Sequence, residues 1–182
     1  MAYQCLKAAC YAIGKYSVTS LRYQDIFLVK QWRNDQIRVL RQNKVLSDGD
    51  QKNYYANVVE PSFRIKQPSI ILFSYLYDKE CIGYGGFTNI DWYSRRAEVS
   101  FLLNTARVSD PVQYEADFGT FLALLKQVAF GDLEWNRLYT ETFDIRLHHT
   151  SILERNNFRY EGRMKQHAVV DERFVDSLIH GC

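Results

Sequence analysis

Between Ile70 and Phe143 the sequence sets three strand-forming runs in close succession, then one long amphipathic helix, then a fourth strand. Ile70 to Tyr77 is followed by Asp78-Lys79-Glu80, then Cys81 to Ile90, a turn at Asp91–Arg95, and Ala97 to Leu103. Turns this short join antiparallel neighbours, so the three runs predict a meander. Glu115 to Phe130 then places Phe118, Phe121, Leu122, Leu125, Val128 and Ala129 on one stripe of a helix, and Leu138 to Phe143 returns as a strand. A strand–helix–strand crossover makes its two strands parallel and right-handed. One parallel pair is thus expected inside an otherwise antiparallel sheet.

The flanking segments extend the pattern. Tyr16 to Arg22 alternates and is β-branched, which predicts a first strand, while residues 1–15 show no clear period and read as a short helix or an appendage. Asp25 to Asp35 has helical spacing. Ser47 is a fitting N-cap for a second helix that carries Tyr54, Tyr55 and Val58 and is expected to stop before Pro61. Beyond the crossover come a short helix at Thr150–Asn156 and strands at Phe158–Val169 and Phe174–His180. The order is β-α-α-β-β-β-α-β-α-β-β, read as a single domain over residues 1–182 with residues 1–15 as an N-terminal extension.

Composition narrows the class of partner. The hydrophobic share of 47% and charged share of 24% are those of a globular core, and a net charge of +2 argues against general nucleic-acid or membrane-surface binding. The most apolar run, Ser69 to Tyr77, is under half a membrane span. Cys5, Cys10, Cys81 and Cys182 form no CxxC pair and no metal-like spacing with the histidines, so reduced thiols are expected. With no signal-peptide pattern at the start, a cytoplasmic location is the expectation. The 13 tyrosines and 11 phenylalanines against nine glycines imply a chain rich in amphipathic aromatic surface.

The succession of motifs resembles the GNAT superfamily of acyl-CoA N-acyltransferases, in the branch of ribosomal-protein and nucleotide-sugar N-acetyltransferases. It rests on Trp32-Arg33-Asn34, Ile82-Gly83-Tyr84-Gly85-Gly86, Ala97-Glu98-Val99-Ser100-Phe101, Val128-Ala129-Phe130 and the run Ile152 to Gly162. The resemblance implies an α+β (α/β sandwich) fold, with a mixed, mostly antiparallel central sheet, splayed parallel strands and helices on both faces. It further implies acetyl-CoA as co-substrate, no metal, a small-molecule acceptor amine as partner, and a monomer or homodimer.

What the resemblance implies for the site is specific. In the family the first splayed strand pairs its backbone with the pantetheine amides, which assigns Phe101, Leu102, Leu103 and Asn104 to the cofactor. The family's pyrophosphate loop, Arg/Gln-x-x-Gly-x-Gly/Ala, falls here on Pro111, Tyr114 and Ala116, of which only Ala116 fits. Free N–H groups at a helix start can still bind an anion, so Tyr114, Glu115, Ala116, Asp117 and Phe118 are carried as cofactor contacts. Arg107 is a source of compensating charge, or a solvated loop arginine. Arg146 stands at the family's pantetheine-contacting Asn position. Trp32, Arg33, Asn34, Arg41 and Tyr84 map to the acceptor side, where arginines suit a diphosphate and Trp32 a base or sugar face. Burial of the Trp and solvation of the Arg residues are the competing readings.

Transfer of an acetyl group to an amine needs a neutral amine, hence a proton acceptor. Glu98 is the candidate base, in an apolar strand whose alternation aims it into the cleft; the competing readings are an outward-facing Glu or an ion pair with Arg95 or Arg96. For the leaving thiolate, Tyr114, Tyr139 and Ser151 are possible acids. His148-His149 is read as a solvated or capping pair, since adjacent helical residues diverge too far to share a metal. Gly83, Gly85 and Gly86 precede a strand and mark a bulge or a close backbone approach. The activity implied is N-acetylation of a nucleotide-linked amino sugar. The alternatives are a protein N-terminal α-amine as acceptor, or a non-catalytic acyl-CoA-binding domain.

Overall fold

The computed structural model describes residues 2–182. Eight strands make one sheet in the order β1-β2-β3-β4-β5-β6-β8-β7. They are β1 (Cys10–Ile13), β2 (Tyr16–Ser20), β3 (Ile71–Tyr77), β4 (Glu80–Asp91), β5 (Arg96–Leu103), β6 (Arg137–Phe143), β7 (Arg159–Val170) and β8 (Arg173–Gly181). Every neighbouring pair is antiparallel except β5 and β6, which run parallel. The crossover between those two is α3 (Pro111–Lys126), extended by a π-type turn over Gln127–Asp132. The other helices are α1 (Ile26–Asp35), α2 (Asp48–Tyr54) and α4 (Leu147–Arg155). This is the mixed α+β architecture expected from the crossover.

Helices cover both faces, and adjacent residues of β4 show it. Gly85 lies under Phe121 of α3, whereas its neighbour Tyr84 points the other way and meets Arg33 of α1. A Cβ on Gly85 would stand 2.1 Å from the Ser100 carbonyl oxygen and 2.9 Å from the Phe121 ring. Gly86 adopts φ +145°, and a Cβ there would stand 2.0 Å from the Ile71 oxygen. The Gly cluster thus serves close approach of strands and helix. Gly86→Ala is expected to destabilise the fold by about 2 kcal/mol, from backbone strain plus displacement of β3; an unchanged denaturation midpoint would refute this.

Several elements differ from their expected form. Residues 2–15 contribute no helix: β1 pairs with β2, and Tyr3 is buried, exchanging hydrogen bonds with the Leu72 backbone. The second helix does not stop before Pro61. A π-type turn over Tyr55–Val59 follows α2, and Pro61 enters the closing turn Glu60–Ser62 at an early position, where a missing N–H costs least. Its start agrees with the sequence, since Ser47 and Asp50 form a reciprocal capping box. Helix α3 begins at Pro111 rather than Glu115, a difference with consequences for the site.

Candidate functional site

Strands β5 and β6 pair only through Arg96↔Arg137, Ala97↔Leu138 and Glu98↔Tyr139, and then separate. The N–H of Asn104 donates to Ile82 of β4, so alternate residues of β5 turn their backbone toward β4 and the others toward the gap. Phe101 belongs to the second set, and its N–H and C=O face the gap with no strand opposite. On the other side, Leu138 exchanges hydrogen bonds with Cys182, which turns Glu141 and Phe143 inward to the gap. The wedge holds a cavity of about 200 Å³, bordered among others by Glu98, Phe101, Thr142, Arg41, Arg146 and His149.

Glu98 sits at the apex of this wedge, 7% exposed. One oxygen accepts from Arg41 Nη2 at 2.8 Å, and the other from Asn89 Nδ2 at 2.6 Å. Neither Arg95 nor Arg96 is its partner; Arg96 pairs with Asp91. Arg41 also meets the Glu141 carboxylate at 3.2 Å and the Glu141 carbonyl at 3.3 Å, so its guanidinium spans the mouth from β5 to β6. Asn89 and Glu141 were not singled out from sequence. Asn89 has φ 48° in the irregular stretch of β4 between Thr88 and Asp91, a conformation that Asn tolerates.

The far wall is aromatic. Phe101 stacks on Phe118, and Phe118 stacks on His149 with ring centroids 4.2 Å apart. Tyr114 is buried, its hydroxyl 2.7 Å from His149 Nδ1 and 3.1 Å from Arg146 Nη2. Burial raises the Tyr114 phenol above its ordinary range and holds His149 well below the usual imidazole value. The expected solvated pair of histidines is therefore corrected. His148 contacts the Pro111 carbonyl at the surface, while His149 is a core residue facing the cleft.

The start of α3 also departs from expectation. Asp110 is its N-cap, and one carboxylate oxygen accepts from the N–H groups of both Val112 and Gln113. Pro111 has no N–H, and the Tyr114 N–H is bonded to the Asp110 carbonyl. The free N–H groups expected to receive an anion are satisfied by the chain's own carboxylate. The wedge edge therefore fits an amide-bearing pantetheine arm, whereas the α3 start as folded does not fit a diphosphate. Pro111, Tyr114 and Ala116 lie within the first turns of the helix instead of forming a loop.

Other assigned residues are committed elsewhere. Arg107 donates twice to Asp117, at 2.6 and 2.8 Å, so it is no free cation, and Asp117 is fully buried. Glu115 pairs with Arg155. Leu102 and Leu103 are core side chains, with Leu103 offering its carbonyl to Gln36, and Asn104 caps the short turn Thr105–Val108. Trp32 is 4% exposed and packed in the core, so no ring face is left for a sugar. Asn34 holds the Leu46 backbone through both side-chain atoms. Arg33 bonds Gln42 and the Tyr84 hydroxyl, and borders both the wedge and a second cavity of about 220 Å³ shared with Tyr54 and Tyr84.

The family model described as "Acetyltransferase (GNAT) domain" matches residues 18–179. The chain belongs to this family and is a GNAT acetyltransferase. Among solved structures, it superposes on spermidine N-acetyltransferase from Vibrio cholerae in complex with CoA and spermine, with TM-score 0.78 and 13% identity, over 92% of this chain and 95% of that one. The ribosomal L7/L12 α-N-protein acetyltransferase RimL in complex with CoA gives 0.75 at 12% identity, over 97% of each chain. RimJ of Mycobacterium smegmatis gives 0.75 at 14%, over 92% of this chain and 81% of that one. At such identities the likeness is one of fold. No curated protein matches the sequence. Among the described residues, no helix is long and apolar enough to cross a membrane.

Proposed function

We propose that the chain is a single acyltransferase domain that uses acetyl-CoA to acetylate a primary amine by direct attack. The observation that carries this is Glu98, a buried carboxylate at the apex of the wedge. An arriving ammonium takes the place of Arg41 on the Glu98 oxygen, while Arg41 keeps its contact with Glu141. Glu98 then accepts the proton that the amine must lose before its lone pair can attack. The exchange strands neither charge, because the ammonium replaces the guanidinium on Glu98, and Arg41, with 47% of its side chain exposed, keeps Glu141 at 3.2 Å and regains water. The inward Phe101 N–H is placed to receive charge growing on the carbonyl oxygen, as preorganised donors do.

The acceptor that best suits the mouth is a nucleotide-linked amino sugar. Arg33 and Arg41 border the wedge, and Tyr54 and Tyr84 line the adjoining cavity with Arg33. Arg38 pairs at the surface with Asp171 on the β7–β8 turn, a contact that phosphate oxygens can replace. The competing acceptor is a peptide α-amine. Release of CoA thiol with UDP- and dTDP-linked amino sugars, N-terminal peptides and polyamines is the deciding measurement. The sugar nucleotides are expected to exceed peptides by about tenfold or more in kcat/KM, the worth of one charged hydrogen bond to a phosphate. Faster turnover of a peptide overturns the acceptor assignment, and saturable binding of acetyl-CoA with no turnover supports a purely binding domain.

A further inference from the structure

We infer that His149 is a catalytic hydrogen-bond donor, presenting a fixed neutral Nε2–H to the thioester as negative charge builds during attack. This deepens the acyl-transfer reading of the wedge and rests on it. Arg146 carries a guanidinium that can only donate. With Arg146 donating to the Tyr114 oxygen, His149 Nδ1 is the acceptor in reach of the Tyr114 hydroxyl, and the arrangement that uses the hydroxyl hydrogen directs it there. An Nδ1 that accepts carries no proton, so the ring hydrogen resides on Nε2.

Nothing in the protein uses that hydrogen. Among the described residues Nε2 has no hydrogen-bond partner, yet it is absent from the buried polar atoms left unpaired, which are Asp132 Oδ1, Trp135 Nε1, Thr140 Oγ1, Ser177 Oγ and His180 Nδ1. It therefore retains access to the cavity that His149 borders. Stacking on Phe118 fixes the ring plane. Burial keeps the ring uncharged, helped by Arg146 at the N-cap of α4, His180 of β8 and His148 of α4; Tyr114 and Phe118 of α3 pack against it, and no carboxylate is bonded to it. A neutral imidazole here is an electrophile rather than an acid. No proton leaves His149: Glu98 takes one proton from the ammonium, the C–N bond forms, the C–S bond breaks, the sulfur departs with its electron pair, and the second proton shed by the nitrogen passes through solvent to the thiolate. A thiol of ordinary acidity, about 8.5, permits this.

The test has two arms. Imidazole ¹⁵N NMR of the wild-type protein is expected to show His149 protonated at Nε2 and unprotonated at Nδ1, and still neutral below the usual imidazole midpoint. Loss of the single tautomer in Tyr114→Phe would follow. In kinetics, Gln places an amide N–H near the Nε2 position and Asn near Nδ1. His149→Asn is expected to lose about thirtyfold in kcat, with His149→Gln within about fivefold of wild type. A hydrogen on Nδ1, an ordinary titration near pH 6.5, or equal rates for Asn and Gln overturns the role. If His149→Asn keeps the wild-type rate while Glu98→Gln loses it, the acetyltransferase reading stands and the His149 role falls. Absence of transfer to any amine by the wild type removes both.

Discussion

Glutamine at position 98 is expected to lower kcat/KM by between about a hundredfold and a thousandfold, the worth of a well-placed general base. The substitution keeps the shape of the side chain and can still accept from Arg41 or Asn89 through its carbonyl. It removes only the capacity to take a proton. Arg41 does not become an orphan charge, because Glu141 remains within 3.2 Å. A large loss of folding stability is therefore not expected, and the effect falls on rate. The deficit of Glu98→Gln should appear in turnover at saturating amine, with the fold intact. A pH–rate profile and turnover unchanged from wild type would show that Glu98 serves only as the ion-pair partner of Arg41.

Local pattern carries the fold of this chain further than it carries the site. The crossover strands, the Ser47 cap and the meander follow from short-range spacing, and so does the placement of Glu98 on an inward strand position. Its partners do not. Arg41 is 57 residues from Glu98 and 100 from Glu141, and only the splay of β5 from β6 brings the three together. His149 looks like half of a solvated pair until α3 folds Tyr114 and Phe118 against it. The start of α3 carries a local signal of its own. Asp110-Pro111 is a capping residue followed by a proline at the first helical position, a stronger start signal than the acids four residues on. Reading it would have shown the N–H groups already taken. The β1 strand left little local signal because it is an edge strand, with only Tyr11 buried in its four residues.

The same misplacement bears on Asp117, carried from sequence as a cofactor contact. Asp117→Ala is expected to cost about 3 kcal/mol in stability, because breaking a buried ion pair strands the surviving charge. The figure is set at the low end since Arg107 keeps 24% of its side chain exposed and recovers some hydration. Arg107 is not alone in losing an acceptor: Tyr16 donates to the same carboxylate at 2.9 Å and Gln113 at 2.8 Å. The carboxylate thus ties β2, the turn after β5 and α3 into one unit behind the wedge. For a chain of this length the loss lowers the melting temperature by about 10 °C, at two to four degrees per kcal/mol. Pairing the change with Arg107→Ala should return part of the loss, because no unmatched guanidinium then remains. A scaffold role predicts that this recovery appears in thermal denaturation without acetyl-CoA, and that KM for acetyl-CoA changes little in the folded fraction. A melting temperature left unchanged by Asp117→Ala, together with a large rise in that KM, would instead place Arg107 and Asp117 among the groups that hold the cofactor.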